Sequence, residues 1–280
     1  MESAFKRIHW PKLLATILFA IVGLIFIMPF LWMISASFKL ESDVLKFPIE
    51  WIPSTWNAVE NYNEVWFGAK SFALYYWNSI KISVFTTIVS SVFSCFAAYA
   101  FAKINFKGRD LLFLVVLSTY MIPPQAIVIP QYLIYSSSGL IDSHLGLILL
   151  NSFSAFGTFM LRQFFVSVHD EVIESARMDG AGHIRTFFSI ALPLIKPAIA
   201  TYAILRFIWT WNDYQNPLIF LRSDSLYTIQ IGIKQFADAH GSIFSLMMAA
   251  AVSAIVPLLI VFIIGQKQVI EGIALGGVKG

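Results

Sequence analysis

The least ordinary chemistry in this sequence sits at helical spacing inside an apolar run. Arg206, Thr210 and Asp213 recur at i, i+4 and i+7 within residues 197–221, so a helix would present them on one face. Trp209, Trp211 and Asn212 lie beside them. A charge at mid-membrane is expensive and turns toward a protein interior or a wet cavity. Two readings follow. Arg206, Trp209, Asn212 and Asp213 line a path for a polar solute whose rings stack on the tryptophans, or Arg206 meets an acidic group and staples helices together. No other set of residues converges on a reaction. The histidines at 9, 144, 169, 183 and 240 lack metal-ligand spacing such as H-E-x-x-H, and no Ser-His-Asp arrangement stands out. Cys95, the single cysteine, excludes a disulfide framework and reads as a small core residue. Gly272 and Gly277 have the spacing of a phosphate-binding G-x-x-x-x-G-K loop, but Val278 stands where Lys is needed. The chain is therefore expected to hold no nucleotide, cofactor or metal of its own.

The elements that would position these residues are membrane-spanning helices. Of 280 residues, 58% are hydrophobic and 12% charged, against about a quarter charged in soluble domains. Together with a mean hydropathy of +0.74, this excludes a disordered chain and an ordinary soluble enzyme. A net charge of +3 is too small for a nucleic-acid surface. Residues 13–38, 82–102, 111–141 and 239–266 carry no Lys, Arg, Asp or Glu, and 143–161 and 197–221 are nearly as apolar. A span needs about 20 such residues. The sequence thus predicts an all-α membrane protein of six spans, near 13–35, 78–102, 111–134, 145–164, 197–221 and 244–266. Residues 1–12 and 267–280 would be cytoplasmic ends, because Lys and Arg concentrate in 1–12, 103–109, 162–196 and 267–279. The first span is too long for a removable leader and lacks a small-residue cleavage site. Trp51, Trp56, Trp66, Tyr75, Tyr76 and Trp77 crowd the first outer segment, as expected near headgroups. Pro123 and Pro124 mark either a bend in the third span or its end. Asn78 and Asn151 suit hydrogen bonds between helices.

The inner segment 162–196 is longer than a turn requires. Asp170 or Ser167 can cap a helix start, Glu171 and Glu174 suit its positive end, and Val172, Ile173 and Ala176 give it a narrow apolar face. Gly180 is a natural stop. A second helical stretch over 183–191 carries Phe187, Phe188 and Ile190, after which Pro193 and Pro197 re-aim the chain. Ser175, Ala176, Gly180, Ala181 and Gly182 are small and would let another surface approach the backbone. The loop is either a docking knob for a cytoplasmic partner or an interfacial helix sealing the bundle.

Glu174-Ser175-Ala176, three residues, Gly180, nine residues, then Ile190-Ala191-Leu192-Pro193 resembles the EAA loop of ABC importer membrane subunits, whose pattern is E-A-A, three residues, G, nine residues, I-x-L-P. Ser175 replaces the first Ala, a small-for-small change, and Asp179 and Ala181 match a D-G-A common there. The resemblance extends over nearly the whole chain, through 29–39 (PFLWMISASFK), 97–103 (AAYAFAK), 122–132 (IPPQAIVIPQY), Trp211-Asn212-Asp213 and the tail from Glu271. It resembles carbohydrate-uptake permeases of the maltose-transporter type, specifically the second, shorter membrane subunit.

The resemblance implies a permease subunit of a binding-protein-dependent importer in the cytoplasmic membrane, carrying a sugar or sugar-like solute. Its implied partners are a homologous permease subunit, two ATPase subunits holding ATP and Mg, an extracytoplasmic solute-binding protein and membrane lipid. Glu174, Ser175, Ala176, Asp179, Gly180, Ala181, Ile190, Leu192 and Pro193, in a coupling loop over 167–193, would meet the ATPase. Gly276, Gly277, Lys279 and Gly280 of the tail would touch the ATPase pair. Glycerol-phosphate or another polar solute is the alternative within the family. An ATP-independent secondary transporter or channel, and a membrane enzyme, are the alternatives outside it.

Overall fold

The computed structural model describes residues 10–69, 72–238 and 241–277. Helices run in the order α1 (Trp10–Ser37), α2 (Glu41–Val44), α3 (Ala58–Phe67), α4 (Phe72–Lys103), α5 (Arg109–Tyr120), α6 (Pro124–Ser137), α7 (His144–Leu150) and α8 (Ala155–Ser167). They continue through α9 (Asp170–Met178), α10 (His183–Thr186), a π-helical turn (Phe187–Ala191), α11 (Leu192–Leu194), α12 (Lys196–Trp211), α13 (Gln215–Phe220), α14 (Ile229–Lys234) and α15 (Phe244–Gly277). A two-residue hairpin pairs Ala237 with Ser242.

Three helices are long and apolar enough to cross a membrane alone: Pro11–Ser37, Phe72–Lys103 and Phe244–Gln268. Three bent pairs bring the total to six: α5 with α6 at 99°, α7 with α8 at 49°, and the run 183–194 with α12 at 79°. The third stretch is thus not one rod. Pro123 has extended backbone and Pro124 opens α6 at its first turn, where a missing N–H costs nothing. The fifth stretch ends its helix at Trp211 rather than 221. Asp213 accepts from the Asn216 N–H at 3.1 Å and its side-chain amide at 2.8 Å, and a new short helix starts there.

Two compact units emerge, one of residues 1–70 with 233–254, the other of 71–232 with 255–280. In the first, the outer segment is folded rather than a loop. The Asn61 amide donates to the Ser37 and Lys39 carbonyls at 2.9 and 2.8 Å, the Ser35 hydroxyl donates to the Trp51 carbonyl at 2.6 Å, and Phe38 stacks on Trp56. Lys39 is buried, its amine donating to the Glu50 carbonyl. Glu41 supplies the missing partners of the last helix: its two carboxylate oxygens accept from the Phe244 and Ser245 N–H groups at 2.9 and 2.7 Å. Glu41→Ala should remove that cap and cost about 1 kcal/mol. A lowered unfolding midpoint in detergent, with Glu41→Gln in between, is the expected result; an unchanged midpoint would show the contact to be idle.

In the second unit α4 is central and packs chiefly against α8 and α12. Its buried face is a stripe of small hydroxyl residues, Ser79, Ser83, Thr86, Ser90 and Ser94, at helical spacing. Small side chains let backbones approach closely, which lipid-facing residues do not permit. Gly157 of α8 uses that closeness, lying against Tyr202 and Ser94. The Tyr202 and Ser90 hydroxyls bond at 2.7 Å. Below them lies the main apolar core, with Cys95, Tyr99, Leu161, Phe165, Phe187, Ala191 and Ala198. Of the aromatics over 51–77, Trp51, Trp56 and Trp77 are exposed, but Tyr75 is buried with its hydroxyl on Asp224 at 2.7 Å, and Tyr76 packs edge-on against Trp211. Asn78 donates to the Ser225 and Tyr227 carbonyls, so it ties α4 to the short 3₁₀ turn Asp224–Leu226 and its cap.

Candidate functional site

The segment singled out by its spacing folds into a short helix, a glycine stop and a second helical run. Asp170 and Glu171 occupy the first turn of α9 and Arg177 the last, each complementing the helix dipole. The cap residue is His169, without a side-chain bond; neither Asp170 nor Ser167 caps. Ser167 instead donates to the Phe164 carbonyl at 2.8 Å, and Asp170 accepts from Lys103. Ile173 and Ala176 are buried, but Val172 is 43% exposed, so the apolar face is narrower than its spacing suggests.

Gly180 ends the helix at φ +82°. The Ala181 N–H reaches the Ala176 carbonyl at 2.9 Å and the Gly180 N–H reaches that of Arg177 at 3.0 Å, the paired closure of a Schellman stop. A side chain at Gly180 would meet open space. Glu174, Ser175, Asp179 and Gly180 are exposed. Ala176, Asp179, Ala181 and Ile190 share a cleft of about 270 Å³ with Arg185 and Ser189. Ile190 and Leu192 are half-buried and pack against the main core, and Ile190 also lines that cleft. Pro193 falls in the first turn of α11 and breaks nothing; the 79° change of direction comes at Ile195, with Pro197 opening α12. Phe187 enters the core and stacks on Phe96 at 4.8 Å, whereas Phe188 remains half exposed. Met178 and Ile184 stand out at 88% and 75% exposed, an apolar pair flanking the glycine stop.

The second group is taken apart by the fold. Arg206 donates to the Asn151 carbonyl, the acceptor freed where α7 ends and the chain breaks before α8. The contact is therefore a staple, but to a backbone carbonyl rather than an acid. A break inside a membrane persists only where protein or water satisfies its backbone. Thr210 donates back to the Arg206 carbonyl at 3.0 Å. Thr210 and Asp213 line a small polar cavity with Ser79, Ser83, Asn151 and Thr228. Trp209 is half exposed and meets Phe156 edge-on at 5.2 Å, and Asn212 is exposed with its amide on the Ile208 carbonyl. The four residues do not form one lining. Gly276 and Gly277 end α15, while Lys279 and Gly280 lie outside the described residues.

Sequence reasoning missed two anchors. Asp142, at φ +58°, accepts from the Arg222 and Ser223 N–H groups at 2.8 Å each and from the Ser223 hydroxyl; these bonds hold its carboxyl below the usual range. Lys103 bonds the Val168 carbonyl and Asp170. Both residues pair across long sequence separations, Asp142 with 222–223 and Lys103 with the opening of the coupling loop. Lys103 closes the quoted 97–103 stretch, but nothing within that stretch marks its partner.

Residues 90–273 match the family model described as the binding-protein-dependent transport system inner membrane component. The chain is 32% identical to the arabinooligosaccharides transport system permease protein AraQ of Bacillus subtilis, over 96% of each chain. It is 31% identical to the melibiose/raffinose/stachyose import permease protein MelC of the same species, over 95% of this chain and 96% of that one. A solved bacterial ABC transporter involved in the import of the acidic polysaccharide alginate has a chain that superposes with a TM-score of 0.81 at 26% identity, covering 95% of this chain and 98% of its own.

Proposed function

The chain belongs to the family of binding-protein-dependent transport system inner membrane components, and from that premise we propose that it is the permease subunit through which an ABC importer moves a sugar or oligosaccharide. It is a multi-pass subunit with both ends in the cytoplasm, and its exposed apolar helix faces meet lipid. It pairs with a homologous permease to enclose the solute path, receives solute from an extracytoplasmic binding protein, and is driven by two separate subunits that bind ATP and Mg. The chain itself binds no nucleotide.

The observation that carries this reading is the α9 knob. It is a short helix with exposed Glu174, Ser175 and Asp179, a Schellman stop at Gly180 and the exposed Met178 and Ile184 beside it. Exposed apolar groups rimmed by polar ones mark a docking surface. Seating this knob in a groove on one of the two ATPase subunits converts nucleotide-driven movement into movement of α8 and α12, which flank the loop in sequence.

The test is reconstitution of the complete complex in liposomes with its binding protein. Uptake of a labelled oligosaccharide should require both ATP and the binding protein and should resist competition by sn-glycerol-3-phosphate. Uptake that proceeds at the full rate without the ATPase subunits would instead assign the chain to ATP-independent transport. Displacement by sn-glycerol-3-phosphate would move the solute class.

A further inference from the structure

The second helical crossing is joined to the α9 knob by one buried ammonium. Lys103 is the last residue of α4 and its side chain is only 3% exposed, although its acidic partner Asp170 is 77% exposed. Its amine donates to the Val168 carbonyl at 2.6 Å and to Asp170 Oδ1 at 2.5 Å. Val168 is the residue that closes α8, and Asp170 is the first residue of α9. A second contact returns from the far end of the same helix, where Arg177 donates to the Lys103 carbonyl at 3.5 Å and approaches His183 Nδ1 at 3.2 Å. Both ends of the nine-residue helix are thus referred to one residue of α4.

The usual objection to an ion pair at a surface is that water screens it and it contributes little. Here the cation is buried, so losing an acceptor leaves a desolvated charge rather than a hydrated one. The Lys103 ammonium holds the Asp170 carboxyl below the usual carboxylate range. Covalent continuity already ties α9 to α8 on one side and, through the π-helical turn, to α12 on the other. It does not tie α9 to α4, which is the helix against which both of those pack.

We propose that Lys103 is a positioning residue that latches the α9 knob to α4, so that displacement of the knob moves the second crossing together with the fourth and fifth. This rests on the reading of α9 as the ATPase contact. In that mechanism the latch adds a charged contact to the apolar packing of Ile173 in the core it shares with Ala98 and Tyr99 of α4, and without it α4 follows the knob less closely.

The experiment uses the complete reconstituted complex and reads solute transported per ATP hydrolysed. Lys103→Met keeps the aliphatic stem and removes both bonds. ATP hydrolysis should continue while transport per ATP falls at least about tenfold, the lower end of what loss of even one of the two charge-assisted hydrogen bonds allows. Lys103→Arg should recover the ratio to within about twofold, because a guanidinium reaches both acceptors. Asp170→Asn, which leaves the Val168 bond in place, should fall between, and it carries the test if Lys103→Met does not assemble. A ratio unchanged in Lys103→Met, or in Asp170→Asn where only that variant assembles, overturns the latch. Gly180→Asp is run alongside. If it lowers the ratio while the Lys103 and Asp170 variants do not, the latch fails and the coupling reading stands. If it too leaves the ratio unchanged, the coupling reading itself fails.

Discussion

Gly180→Asp is expected to insert, fold and assemble at near-normal levels yet transport almost nothing. The backbone at this position is left-handed, which aspartate tolerates better than most residues, so the local strain is about 1 kcal/mol. No neighbour lies within 4 Å of the added Cβ, so no steric clash adds to that strain. The cost arises only when the knob is seated. A carboxylate then lies unpaired in a closed interface, a situation worth roughly 3–5 kcal/mol, and uptake should fall by two or more powers of ten. Gly180→Ala separates the two effects, since it carries the backbone strain without the charge and should lose little more than a factor of about ten. Uptake of labelled solute into proteoliposomes, normalised to assembled complex, is the measurement. Normal uptake by Gly180→Asp would remove α9 from the coupling path.

Gly157→Leu should instead destroy the fold. A Cβ at Gly157 would lie 2.4 Å from Tyr202 Cζ, 2.5 Å from its hydroxyl and 2.6 Å from Ser94 Oγ. Tyr202 has no room to yield, being 0% exposed with its hydroxyl held by Ser90. Even Gly157→Ala overpacks the junction of α8, α4 and α12 and should cost about 1–3 kcal/mol. The larger side chain pushes α8 away from the serine stripe of α4, which is the main helix contact of the unit. Thermal unfolding in detergent should show a lowered midpoint for Gly157→Ala and little folded material for Gly157→Leu. Tyr202→Leu in the Gly157→Ala background should return part of the loss, because the two positions share one space. A Gly157→Leu protein of normal stability would mean that α8 and α12 do not meet as described.

The contrast between these two glycines shows what a sequence carries and what it does not. Gly180 ends α9 through bonds to Ala176 and Arg177, all within six residues, so the stop is written locally and spacing reveals it. Gly157 is required by Tyr202, which lies on another helix, and nothing beside it in sequence marks it. The same division runs through the molecule. The apolar stretches that become crossings are legible because lipid demands about 20 apolar residues wherever a helix spans. Of the breaks, the one at 121–123 is signalled by Pro123 and Pro124, whereas the one at 151–154 is not, because both of its sides are equally apolar. The second is held by Arg206, which lies on another helix.

The functional residues divide in the same way. Glu174, Ser175, Ala176, Asp179, Gly180 and Ala181 form a contiguous motif whose shape follows from its own hydrogen bonds. Ile190 and Leu192 belong to the same pattern and also pack against the core, and hydrophobicity alone does not separate packing from docking. The grouping of Arg206, Trp209, Asn212 and Asp213 rested on an uninterrupted helix. That helix ends at Trp211, and Trp209 and Asn212 are exposed, away from the polar cavity that Thr210 and Asp213 line. The folded outer segment was hidden because Asn61, Ser35 and Lys39 read as ordinary polar loop residues until their carbonyl partners are in place.

The central claim is that a nucleotide-hydrolysing neighbour pushes on this chain at α9. The direct test is a cysteine at Met178, the most exposed apolar residue of that helix at 88%, in a chain whose single Cys95 is replaced by Ala. In the assembled, working complex a short thiol cross-linker should join this cysteine to the ATPase subunit, with a yield that changes between the nucleotide-free and ATP-bound states. A Met178 position that stays freely reactive with a small thiol reagent, forming no adduct with the ATPase while ATP is hydrolysed and solute is carried, would contradict the account.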